Sequence, residues 1–149
     1  MVSYVAIMRT GLELKFIDEH IMEGVELRVS GSGGRFAGCT EIYVHRGALD
    51  EVADKLEGFP RNTTDERETE LRDFESWSHG GAVRMRFFCV GAAGHTCVEI
   101  WIDSMSNGAR DADAVHFCSR VEAHSIDRFV AELRRLERRQ SEVAYLQTV

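Results

Sequence analysis

Residues 82–103 read AVRMRFFCVGAAGHTCVEIWID, and the alternation of side chains in this stretch decides the fold class. In 82–90, Val83, Met85 and Phe87 fall on one side, with Arg84, Arg86 and Phe88 on the other. In 95–103, Val98, Ile100 and Ile102 oppose Cys97, Glu99, Trp101 and Asp103. A period of two is that of a strand with one face in a core. Gly91-Ala92-Ala93-Gly94 joins the two runs as a four-residue hairpin loop. The apolar faces point inward. The opposite faces mix arginine, glutamate and aromatic side chains, a composition suited to cross-strand pairing and partial contact with solvent.

Toward the C-terminus, a polar loop over 104–113 leads to a further strand over 114–123, with Val115, Phe117 and Val121 inward and His116, Cys118, Arg120 and Glu122 outward. Ser125 then reads as an N-cap with Asp127 in the first turn, and Ile126, Phe129, Val130, Leu133 and Leu136 repeat at helical spacing. Arg134, Arg135, Arg138 and Arg139 fall at the end of this helix, where cations complement the dipole; they read as solvated. The tail 142–149 is either an extra strand or a frayed end. Toward the N-terminus, Leu12, Leu14 and Phe16 alternate with Glu13 and Lys15, and Val25, Leu27 and Val29 with Glu26 and Arg28, giving two strands. A Gly-rich turn at 31–34 precedes a third strand, 36–44. Leu49, Val52, Ala53 and Leu56 mark an amphipathic helix over 47–58, stopped by Gly58 and Phe59-Pro60. Residues 61–69 read as polar loop, followed by a short edge strand marked by Leu71 and Phe74, before Trp77 and the Gly80-Gly81 turn.

The order β-β-β-α-β-β-β-β-α holds few crossover helices. The expected fold is therefore α+β: a mainly antiparallel sheet of six to seven strands, strongly curved or sandwich-like, with two amphipathic helices. At 149 residues, with one proline, no linker and no internal repeat, residues 1–149 read as a single domain with its core over 11–137. Either Met1 or Met8 could start translation. No apolar run approaches the ~18 residues of a membrane span. Four widely spaced cysteines without a CxxC pair are unlike a disulfide scaffold. The expected setting is the cytoplasm, without membrane association. A net charge of −7 argues against nucleic acid as a partner.

One constellation bears on chemistry. His95-Thr96-Cys97 and His116-Phe117-Cys118 each place an imidazole and a thiol at i and i+2 of a strand, on the same face, so His95, Cys97, His116 and Cys118 are the residues a metal would use. Structural zinc sites favour turns over strand interiors, and the bland reading of these residues is small apolar fillers and sheet-face histidines. A cysteine–histidine nucleophilic pair drawn from Cys89, Cys97 or Cys118 with His95 or His116 lacks a helix N-terminus or cationic pocket to lower the thiol pKa. Motifs for phosphate cradling, serine nucleophiles and zinc hydrolases are missing. No catalytic, metal or cofactor residue is assigned. Trp77 and Trp101 read either as core or as anchors at a protein interface.

The runs 36–60 (FAGCTEIYVHRGALDEVADKLEGFP), 81–102 (GAVRMRFFCVGAAGHTCVEIWI) and 121–136 (VEAHSIDRFVAELRRL) resemble a group of small uncharacterised bacterial proteins. That group is in turn similar to WapI-like immunity proteins, which neutralise the toxin domains of polymorphic bacterial toxins. Gly94, His95, Val98 and Glu99 match its strand motif, and Ile126, Asp127, Phe129 and Val130 its helix motif; the likeness spans residues 11–137. The resemblance implies a non-enzymatic protein-binding module with a cognate toxin domain as partner, and the net charge of −7 is compatible with steering toward a basic one. The alternatives are an oligomeric structural module, such as a homodimer, and a metal-binding protein using the two His-x-Cys pairs.

Overall fold

The computed structural model describes residues 9–20, 24–72, 81–104 and 113–149. Eight strands and two helices follow in the order β1 (Gly11–His20), β2 (Gly24–Ser32), β3 (Ala37–Val44), α1 (Ala48–Leu56), β4 (Arg67–Arg72), β5 (Ala82–Val90), β6 (His95–Ser104), β7 (Asp113–Arg120), α2 (Ala123–Glu137) and β8 (Val143–Gln147). They form two antiparallel four-stranded sheets: β3-β2-β1-β8, here sheet A, and β4-β5-β6-β7, sheet B. The α+β class and element order match the sequence reading, with eight strands in place of six to seven. The open alternative for the tail resolves as a strand, because β8 pairs with β1.

The two sheets cross. Along β7, Val115 lies against Gly38 of β3, Phe117 against Gly31 of β2 and against Gly33, and the Arg120 carbonyl accepts a hydrogen bond from Val149 N–H just past β8. Thus β7 traverses the ends of the sheet A strands in their spatial order, as in an orthogonal sandwich. The glycines make this approach possible: a Cβ on Gly31 would lie 2.6 Å from Ile102 Cδ1, and one on Gly38 2.7 Å from Val115 Cγ1. Both helices complete the same core, with α1 against α2 and β4, and α2 against β8.

The helix starts differ from expectation. Ser125 is buried inside α2, not its cap; the helix begins at Ala123, with Glu122 as N-cap and no acidic residue in the first turn. Strand geometry sets this start. Val121 donates its N–H to Thr96 and its carbonyl accepts from the Thr96 hydroxyl, so β7 ends at Arg120 and the chain turns at once. At α1 the cap residue, Gly47, has no side chain to offer. The orphan N–H of Leu49 is instead accepted by Glu137 Oε1 of α2, at 3.1 Å. Glu137→Ala is expected to lower the unfolding free energy by about 1 kcal/mol, the usual size for loss of a helix cap. Glu137→Gln, which keeps the acceptor, should recover most of it in urea denaturation.

The arginines of α2 are not simply solvated. Arg134 reaches Asp54 at 2.9 Å, Glu57 at 3.4 Å and Asp50 at 3.6 Å, binding α2 to α1. Arg139, just past the end of α2, lies over the Phe16 ring at 4.6 Å and near Glu19 of β1. The segment read as loop over 61–69 contributes Arg67 to Thr69 to β4, which pairs with β5. Leu71 lies on that strand; Phe74, Trp77 and Gly80 lie outside the described residues.

Candidate functional site

The antiparallel registers of sheet B place three rows of side chains on its outer face. Across β4, β5, β6 and β7, one row runs Glu70, Arg84, Trp101, His116, and the next Glu68, Arg86, Glu99, Cys118. The third row sets Phe88, Cys97 and Arg120 side by side. Acidic β4, cationic β5, acidic Glu99 on β6 and the basic groups of β7 thus alternate across the sheet, the arrangement in which cross-strand pairs stabilise.

Two chains of contact run through these rows. The Arg84 guanidinium lies 4.5 Å from the Trp101 ring centre, and the imidazole of His116 stacks on the indole at 4.8 Å with the planes 1° apart. The indole is clamped on both sides. The second chain runs from Glu66 to Arg86 at 2.8 Å, from Arg86 to Glu99 at 2.9 Å, and from Glu99 to His116 Nε2 at 2.7 Å. Arg86 also covers Phe88 at 4.3 Å. The chains meet at His116, which ties the position of Trp101 to a charge network running from Glu66, just before β4, across β5, β6 and β7.

The electrostatics follow from these contacts. Burial alone would push the Glu99 carboxyl up, but hydrogen bonds from His116 and Arg86 outweigh it and hold the group below the ordinary carboxylate range. A carboxyl depressed in the folded state contributes stability above its unfolded pKa, near 4.3, and loses it as pH falls through the folded value. Glu99→Gln is therefore expected to cost about 1–2 kcal/mol at pH 7. In urea denaturation the difference from the parent chain should stay constant down to about pH 5 and close on the acid side.

The register also disposes of the four His-x-Cys residues. Cys97 faces Arg120 and Cys118 faces Glu99, so the pairs are offset along neighbouring strands. His116 is engaged by Glu99 and Trp101, and His95 Nδ1 accepts a hydrogen bond from Arg120 at 2.9 Å. Among the described residues no three His, Cys, Asp or Glu side chains are grouped to hold a metal ion. Burial pushes the thiols of Cys89 and Cys118 up, the opposite of what activates a nucleophile. The sequence reads Trp101 as an anchor or a core residue. Alternation puts its partners Arg84 and His116 on the same outward face, but nothing in the chain order shows that the three planes stack.

A shallow pocket of about 240 Å³ lies on the outer face of sheet A, lined by Arg9, Glu13, Ser30 and Tyr145 among others. Its Tyr145 hydroxyl is already committed to the Thr10 carbonyl at 2.8 Å. Among the described residues no helix is long and apolar enough to cross a membrane. No family model, curated protein or solved structure matches the chain.

Proposed function

We propose that the chain is a non-enzymatic protein-binding module that captures a basic partner, in the manner of an immunity protein neutralising a toxin domain. The observation that carries this reading is the disposition of charge. The net charge is −7, and much of the positive charge is neutralised within the molecule: Arg134 faces three carboxylates, Arg86 two, and Arg67 the half-buried Asp65. The acidic excess therefore faces solvent, where complementary fields raise association rates with a basic protein. The likeness of three sequence runs to a group similar to WapI-like immunity proteins points the same way.

The test is affinity capture of the tagged chain from its native host lysate at low and high salt. Co-eluting proteins are identified by mass spectrometry, and the partner's domain is then expressed with and without the chain. A near-stoichiometric protein ending in a small basic domain, lost at high salt and growth-inhibitory only when expressed alone, is the expected result. Recovery of the chain alone, as a dimer or larger oligomer, would overturn it in favour of a homo-oligomeric module.

A further inference from the structure

We infer that the outer face of sheet B is a dimer interface, on which a second copy of the chain lies face to face so that β4 of each copy covers β7 of the other. The inference goes beyond the binding role proposed above and does not depend on it, since sheet A and both helices stay free for another partner. Three observations support it.

First, the face leaves over charges of both signs, at opposite rims. Arg86 is taken up by Glu66 and Glu99, Glu99 also by His116, and Glu70 by Arg72. Three exposed side chains have no ion pair among the described residues: Glu68, Arg84 and Arg120. Glu68 stands opposite Arg86 in the register, but that guanidinium already lies between two other carboxylates. Arg84 covers Trp101, and Arg120 has only the imidazole of His95. The left-over acid is on β4, at one edge of the sheet, and a left-over base is on β7, at the other. Such a face matches neither a uniformly basic nor a uniformly acidic surface; it matches its own copy turned over.

Second, one symmetry operation makes the match complete. A two-fold axis in the interface, parallel to the strands and between β5 and β6, sets β4 on β7 and β5 on β6 of the second copy and lays each row on itself. Glu70 then faces His116, Arg84 faces Trp101 and Arg86 faces Glu99 of the second copy. Glu68 faces Cys118, with Arg120 one row on, about 7 Å along the strand and within the span of two long side chains. No charge in these rows meets its like. An axis across the strands would instead set Glu68 on Glu68 and Arg86 on Arg86. On the outer face of sheet A, the axis along the strands would set Arg28 on Lys15. Complementarity, which rejects like-charge juxtaposition, thus singles out one face and one axis.

Third, the face has apolar material and sufficient size. Val90, one of the exposed large hydrophobic residues, shares the outward parity of Arg84, Arg86 and Phe88, and Phe88 and Trp101 are half-buried there. Aromatic and arginine side chains are those enriched at interfaces. Four strands about 4.8 Å apart, the central two nine and ten residues long at about 3.4 Å each, give a face of roughly 19 by 30 Å. That is of the order of the ~800 Å² per partner of a standard interface.

The experiment is sedimentation of the full chain at pH 7 over a concentration series, with a fluorescent label on one variant in the mixed samples. The parent chain should associate to a dimer and no further. Glu68→Arg and Arg120→Glu each bring two like-charge contacts into the symmetric interface, so each alone should weaken dimerisation about tenfold. Neither residue has an intramolecular ion pair to lose, so both variants keep the fold. An equimolar mixture of the two variants should form a heterodimer of near-parental affinity, because each reversed charge then faces its opposite; the double variant should recover likewise. Lys15→Glu on sheet A should change nothing. A parent chain that stays monomeric throughout overturns the inference. So does a dimer that neither reversal weakens, or one that both weaken but their mixture does not restore.

Discussion

Arg67→Ala is expected to lower the unfolding free energy by about 3 kcal/mol, among the largest losses from any single polar side chain described here. Arg67 begins β4, and its guanidinium joins three segments. Its Nη1 donates to the carbonyls of Lys55 at 3.1 Å and Glu57 at 2.7 Å, where α1 ends; its Nε and Nη2 hold both oxygens of Asp65; and its plane covers the Phe59 ring at 5.5 Å. Hydrogen bonds to charged groups contribute about 1.5–3 kcal/mol each, and removing one partner strands the others. These terms are shared and do not add, which sets the expected value near 3 rather than at their sum. Arg67→Lys should recover less than half, since an ammonium cannot present the fork that spans a carboxylate and two carbonyls. Chemical denaturation at pH 7 checks both.

The same cluster has an acid limit. The Arg67 side chain and the Arg61 backbone N–H hold the Asp65 carboxyl below its ordinary value, against the opposing pull of burial. A depressed carboxyl stabilises above its unfolded pKa, near 3.9, and ceases to do so as pH falls through the folded value. The gap between the parent chain and Arg67→Ala should therefore be full at pH 7 and narrow below about pH 4. A gap independent of pH would assign the effect to the carbonyl and ring contacts alone.

What could be read from the sequence follows from which interactions are local. The β5–β6 hairpin and the body of α2 show a clean period because each buries one aliphatic face, as at Val83, Met85 and Phe87 or at Ile126, Phe129 and Leu133. The first half of β4 escaped because its inward positions are Arg67, Thr69 and Leu71, a row with one aliphatic member. Ser125 has the chemistry of a cap, but the pairing of Val121 with Thr96 starts the helix three residues earlier, with Glu122 as the cap. The role of Arg134 was hidden for a third reason. Its spacing fits a dipole-complementing cation, while its partners Asp54 and Glu57 lie 80 and 77 positions earlier in the chain. The candidate site divides likewise: the outward register of Arg84, Trp101 and His116 follows from alternation, and their stacking only from the strand pairing.

Gly31→Val should be the most damaging small-to-large change at the crossing of the two sheets, costing about 3 kcal/mol or more, at the upper end of overpacking effects. Gly31 is buried on the inner face of β2, where Leu12 of β1 and Gly38 of β3 are its register partners. An added Cβ would sit 2.6 Å from Ile102 Cδ1 and 3.3 Å from Phe117 Cζ, so β6 and β7 would both have to move. Ile102 Cδ1 is the end of a side chain and can rotate, but Phe117 is already wedged against Gly33, where a Cβ would lie 2.8 Å from its own Cβ. Steric relief is the discriminating test. Ile102→Val removes the nearest methyl, so Gly31→Ala placed on that background should recover stability relative to Gly31→Ala alone, although each change destabilises by itself. Additivity of the two would mean that the sheets do not meet at this point.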